Sequence, residues 1–150
     1  MIPNLCYFKM LEDYKELKLI GDSQLNVYNN YTIRVLKRLG LYGYTLSTEI
    51  DEQDAKKLDL RDAVVVASGP QVAMTTEYCP VGAFAGGFTA TSPCRKPCAI
   101  SNNYYLVDQN GNEMKVQCNP ITCSSRLFKD YTCSFDVNKI NPHRIRYDYY

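Results

Sequence analysis

Several signals of common protein classes are missing from this chain of 150 residues. No apolar run approaches the roughly 20 residues that a bilayer-spanning helix needs, which excludes a helical membrane span. The opening stretch MIPNLCYFKMLEDYKELK has no basic region followed by an apolar one, so it does not read as a secretory signal. Charge of one sign is also lacking: 17 Lys and Arg stand against 16 Asp and Glu. The first 75 residues carry 9 basic and 10 acidic groups, the remainder 8 and 6, which is no electrostatic footprint for nucleic acid. Neither H-E-x-x-H nor G-x-S-x-G occurs, and His143 is the sole histidine. A cysteine protease would have to pair that histidine with an activated thiol such as Cys79, a geometry no spacing here implies. His143 lies between Pro142 and Arg144 and reads as a turn residue before a last strand. No repeat at a fixed period is present. With 45% hydrophobic and 22% charged residues, the composition is that of one ordinary globular domain.

Cysteine is the exception. Seven are present, and six of them (Cys79, Cys94, Cys98, Cys118, Cys123 and Cys133) follow residue 78. An odd count without an export signal favours a metal or cluster site over a disulfide framework.

Hydrophobic patterning predicts α/β structure over residues 17–67. Leu17–Ile20 and Leu25–Tyr28 read as short extended pieces. Tyr31–Leu39 reads as a helix with Ile33, Leu36 and Leu39 at helical spacing, Lys37 and Arg38 in the last turn, and Gly40 as the stop. Tyr42–Leu46 reads as a strand, Asp51 as the N-cap of a helix over 52–58, and Ala63–Ala67 as a strand buried on both faces. Strand, helix, strand, helix, strand is most economically joined as right-handed βαβ units. From Ser68 to Pro97 the pattern fails, and the segment holds four of the seven prolines and four of the eight glycines. Tyr104–Val107 and Glu113–Gln117 flank Asn110-Gly111, a hairpin signal. Arg144–Tyr149 alternates as a final strand. The expected division is 1–67, a cysteine-rich loop and hairpin over 68–139, and a last strand over 140–150.

Cys79, Cys94 and Cys98 follow a C-x14-C-x3-C spacing, and Cys123 comes from beyond the hairpin. Prolines 80, 93 and 97 each adjoin a cysteine and keep the loop irregular but stiff. Glycines 82, 86 and 87 allow the backbone to approach a cluster closely enough for N–H groups to bond its sulfurs. The spacing alone leaves an iron–sulfur cluster, a structural zinc and inert buried thiols all open. Cys6, Cys118 and Cys133 read as inert, with Cys118 the substitute for Cys123. Arg95 and Lys96 beside the cysteines suit a phosphate contact, cluster charge compensation or simple solvation, and most of the tyrosines suit packing.

The motif TTEYCPVG (75–82), with Cys94, Cys98, YYLVDQNGNEMKV (104–116) and HRIRYDY (143–149), resembles the bacterial peptidase U-32 family, the collagenase-like proteases. GDSQLNVYNNYTIRVLKRLGLYGYTLSTEID (21–51) is similar to the barrel portion of that family, so the likeness covers nearly the whole chain in order. The resemblance implies a partial (β/α) TIM-like barrel with a cysteine-rich loop and β-hairpin extension, and a fragment whose N-terminal barrel half is missing or supplied by a partner protein. It implies a cytoplasmic iron–sulfur enzyme of the kind linked to oxygen-independent hydroxylation of tRNA, rRNA or a quinone precursor. A 4Fe-4S cluster would be held by Cys79, Cys94, Cys98 and Cys123, with zinc the second choice. Asp22, Asn26, Asn29 and Glu77 would face substrate at the barrel mouth. The alternatives are a peptidase acting on a peptide substrate and an inactive truncated barrel that binds a partner.

Overall fold

The computed structural model describes residues 1–148; Tyr149, the end of the expected last strand, lies outside them. Two compact units are present among the described residues, one of residues 1–69 and 132–148, the other of residues 70–131. These boundaries differ from the expected ones at 67 and 139.

In the first unit, β1 (Ile20–Gly21), β2 (Gly43–Thr45) and the beginning of β3 (Ala63–Thr76) pair in parallel, and β7 (Arg144–Tyr147) pairs in parallel with β3 on its other side. Helix α1 (Cys6–Met10) precedes β1, α2 (Asn30–Arg38) connects β1 to β2, and α3 (Glu52–Ala55) connects β2 to β3. The α2 helix forms where its apolar spacing predicts. Asn29 caps it by accepting from the Thr32 N–H at 2.8 Å, Ile33 and Leu36 are buried, and Gly40 turns the chain away at φ +100. Leu39 lies beyond the helix end and is half exposed. The expected helix over 52–58 is one turn long, capped by the Asp51 carboxylate on the Asp54 N–H at 2.8 Å. Val27, Tyr44, Leu46, Ala63 and Val65 lie at the centre of this unit's core.

The barrel expectation is overturned. Among the described residues the strands form one open, mixed, seven-stranded sheet, ordered β1-β2-β3-β6-β5-β4 with β7 on β3. The longest helix has nine residues and the others four or five, too little to form the outer ring of a (β/α) barrel. The physical reason lies at Ala67. The strand does not stop there but runs on to Thr76 through Gly69-Pro70, with a register shift between Val66 and Ser68. Its second half mixes apolar Val72, Ala73 and Met74 with Gln71, Thr75 and Thr76 and is exposed from Val72 to Thr75, so the buried apolar run that marks its first half is lost while the extended backbone continues.

The second unit is built of antiparallel pairs. β4 (Tyr104–Val107) and β5 (Glu113–Cys118) form the hairpin expected around Asn110-Gly111, with the Asp108 carboxylate accepting from the Asn110 and Asn112 N–H groups. β6 (Ser125–Thr132) adds antiparallel to β5. Its Leu127 packs with Val116, Val81, Cys98 and Cys118 in a small separate core. No helix among the described residues is long and apolar enough to cross a membrane.

Candidate metal centre

Cys79 ends the extended chain after β3 and caps α4 (Pro80–Phe84). Its sulfur accepts from the Gly82 N–H at 3.2 Å, and Pro80 at the first helical position has no N–H to leave unpaired. Cys94 comes from the loop after α4, where its sulfur accepts from the Lys96 N–H at 3.3 Å. Cys98 sits in a 3-10 turn (Pro97–Ala99) entered through Lys96 at φ 52, and is buried in the second core. Cys123 lies in the turn between β5 and β6 at φ 58. That turn is pinned by the Cys123 N–H on the Asn119 carbonyl at 2.8 Å and by the Asn119 side chain on the Ile121 N–H at 2.9 Å.

All four cysteines border one cavity of about 340 Å³, together with Tyr78, Phe88 and Pro93. Cys118 does not border it. That residue is buried behind Cys79, 3.7 Å away sulfur to sulfur and 3.3 Å from the Ser125 hydroxyl. Cys6, in α1, and Cys133, against the core of the first unit, belong to other surroundings.

Electrostatics distinguish the thiols. Burial opposes ionisation of Cys79, but the Gly82 N–H, Ser125, Cys118 and the Val81 N–H outweigh it and hold that thiol below its ordinary range. Burial pushes the Cys98 thiol up, and the sulfurs of Cys79, Cys94 and Cys123 push it further. Burial likewise raises Cys118. Mutual opposition among gathered thiolates is what a bound cationic centre relieves, so the donor set suits a thiophilic metal. Among the described residues, no three His, Cys, Asp or Glu groups are drawn together closely enough to hold an ion as they stand. A single tetrahedral zinc, with Zn–S of about 2.3 Å, would require such a gathering.

The proposed substrate-facing residues separate. Asp22 caps a 3-10 turn through the Ser23 N–H at 2.8 Å and pairs with Arg146 at 2.8 Å. Asn26 ends that turn in the left-handed region at φ 51, and Asn29 caps α2. These three belong to the first unit and perform local structural work there. Glu77 belongs to the second unit and borders the cysteine cavity. Arg146, which also pairs with Asp148 at 2.7 Å, and Tyr78 and Phe88, which border the cavity, are not among the residues that the sequence marks out. Arg146 carried no signal beyond its place in an alternating strand, whereas both aromatics lie in the cysteine-rich segment itself. His143 is exposed before β7, and the shallow cleft it borders contains no cysteine.

No protein-family model, no curated protein and no solved structure matches the chain.

Proposed function

We propose that residues 70–131 hold a 4Fe-4S cluster on Cys79, Cys94, Cys98 and Cys123. In this reading the chain is part of a peptidase U-32 type enzyme of the RNA-hydroxylating kind, working in the reducing cytoplasm. The observation that carries the cluster reading is the shared cavity: four cysteines drawn from a helix cap, a loop, a 3-10 turn and a β-turn border one space. The RNA substrate comes from the motif resemblance alone.

A cluster at this position would supply one-electron chemistry at a potential set by its ligands, the hydrogen bonds to their sulfurs and solvent exposure. The chain's own groups act on those terms. The Gly82 and Lys96 N–H groups stabilise negative charge on the Cys79 and Cys94 sulfurs. Phe88, Tyr78 and Pro93 give the cavity apolar lining, and Lys96 borders the same space. Cys123 is exposed and marks the side open to solvent.

Reconstitution with iron and sulfide under anaerobic conditions tests the reading. It expects the broad visible absorbance of an iron–sulfur chromophore and, after reduction, an electron paramagnetic resonance signal. A colourless protein containing one zinc per chain would overturn it.

A further inference from the structure

We propose that Cys79 and Cys118 are a redox pair, and that peroxide converts them in the metal-free chain to a disulfide that blocks metal loading. The blocking of loading rests on the four-cysteine reading above; the cross-link itself does not. Cys118 is the one cysteine of the second unit that does not border the cavity, yet its sulfur lies 3.7 Å from that of Cys79. A disulfide needs the sulfurs about 2.05 Å apart, so a movement of less than 2 Å shared between two side chains closes the bond. Cys118 is buried at 4% exposure and is held by the Ser125 hydroxyl, so an oxidant reaches it only through a neighbour. Cys79 is that neighbour: it is partly exposed, and it borders the open cavity.

The chemistry balances with hydrogen peroxide as oxidant. The Cys79 thiolate attacks one peroxide oxygen, the O–O bond breaks, and Cys79 sulfenic acid and hydroxide form. The Cys118 thiol then displaces the sulfenic oxygen as water, forming the S–S bond. Two sulfurs are each oxidised by one electron and the peroxide is reduced by two. The product withdraws Cys79 from the ligand set but leaves it recoverable by a dithiol, whereas a lone sulfenic acid would proceed to sulfinic acid.

The test treats reduced, metal-free protein with a small excess of peroxide and digests it with trypsin. Cys79 then lies in the peptide 62–95 and Cys118 in the peptide 116–126. Tandem mass spectrometry is expected to find these peptides joined through Cys79 and Cys118. Iron uptake by the oxidised chain should fall at least fivefold and return after dithiothreitol. A Cys118→Ser chain should take up iron normally before peroxide and lose that capacity irreversibly after it. Joining of Cys79 to Cys94, Cys98 or Cys123 in preference to Cys118, or no joining at all, overturns the pair. If the 79–118 link forms but the reduced chain never takes up iron, the cross-link stands and the cluster reading beneath it fails.

Discussion

Gly86 lies against the Cys94 sulfur with no room for a side chain: a methyl group on its Cα would overlap Sγ and stand 2.9 Å from both the Cα and the carbonyl oxygen of Gly82. Those Gly82 contacts are backbone and cannot swing aside. The loop carrying Cys94 therefore reaches the end of α4 only because residue 86 is glycine, and the Arg95 N–H on the Gly86 carbonyl at 2.9 Å closes the approach.

Gly86→Ala should displace Cys94 and reduce iron bound per chain by more than half. At Gly82 a methyl group would meet the sulfurs of Cys94 and Cys79 at 3.4 and 3.5 Å, ordinary contact distances, so Gly82→Ala should bind more iron than Gly86→Ala. Iron analysis of the two reconstituted variants checks the order.

Asn29 should behave as a helix cap. Asn29→Ala removes the acceptor for the Thr32 N–H and should destabilise the chain by about 1 kcal/mol in urea unfolding. Iron uptake should be unchanged. A loss of uptake without a loss of stability would restore this residue to the functional site.

Asp59 gives the first unit an acid sensitivity. Its carboxylate is held well below the usual range, chiefly by the Arg61 guanidinium, with Lys37 adding to the effect. A depressed folded pKa contributes stability that is present above the unfolded value of about 3.9 and is lost as pH falls through the folded one. Between about pH 5 and about pH 2 the wild type should therefore lose stability more steeply than Asp59→Asn. The difference should be small, because the pair faces solvent. Urea midpoints measured across that range check the sign.

How far the sequence speaks for this fold can be judged element by element. The α2 helix was legible because its cap, apolar stripe and glycine stop agree, and the β4–β5 hairpin because Asn110-Gly111 lies between two extended runs. The extent of β3 was not, because exposed, proline-bearing extended chain has no burial pattern to announce it. The strand β6 was missed for a related reason: only Ser125 and Leu127 alternate as buried positions before the polar stretch that begins at Lys129. The open sheet follows from those two strands, and the barrel inferred from the motifs failed with them. At the site, cysteine spacing and adjoining prolines singled out residues that border one cavity. The polar residues at Asp22, Asn26 and Asn29 look the same in sequence whether they cap a turn or face a substrate, and only the hydrogen bonds distinguish the two.

The cluster is tested most directly by iron and acid-labile sulfide per chain after anaerobic reconstitution, in the wild type and in single Cys→Ser variants. The account predicts about four of each in the wild type, and a fall of more than half for Cys79→Ser, Cys94→Ser, Cys98→Ser and Cys123→Ser. It predicts no change for Cys6→Ser and Cys133→Ser, and none for Cys118→Ser kept from oxidant. One zinc and no sulfide per chain, or iron uptake indifferent to the four cysteines around the cavity, would contradict it.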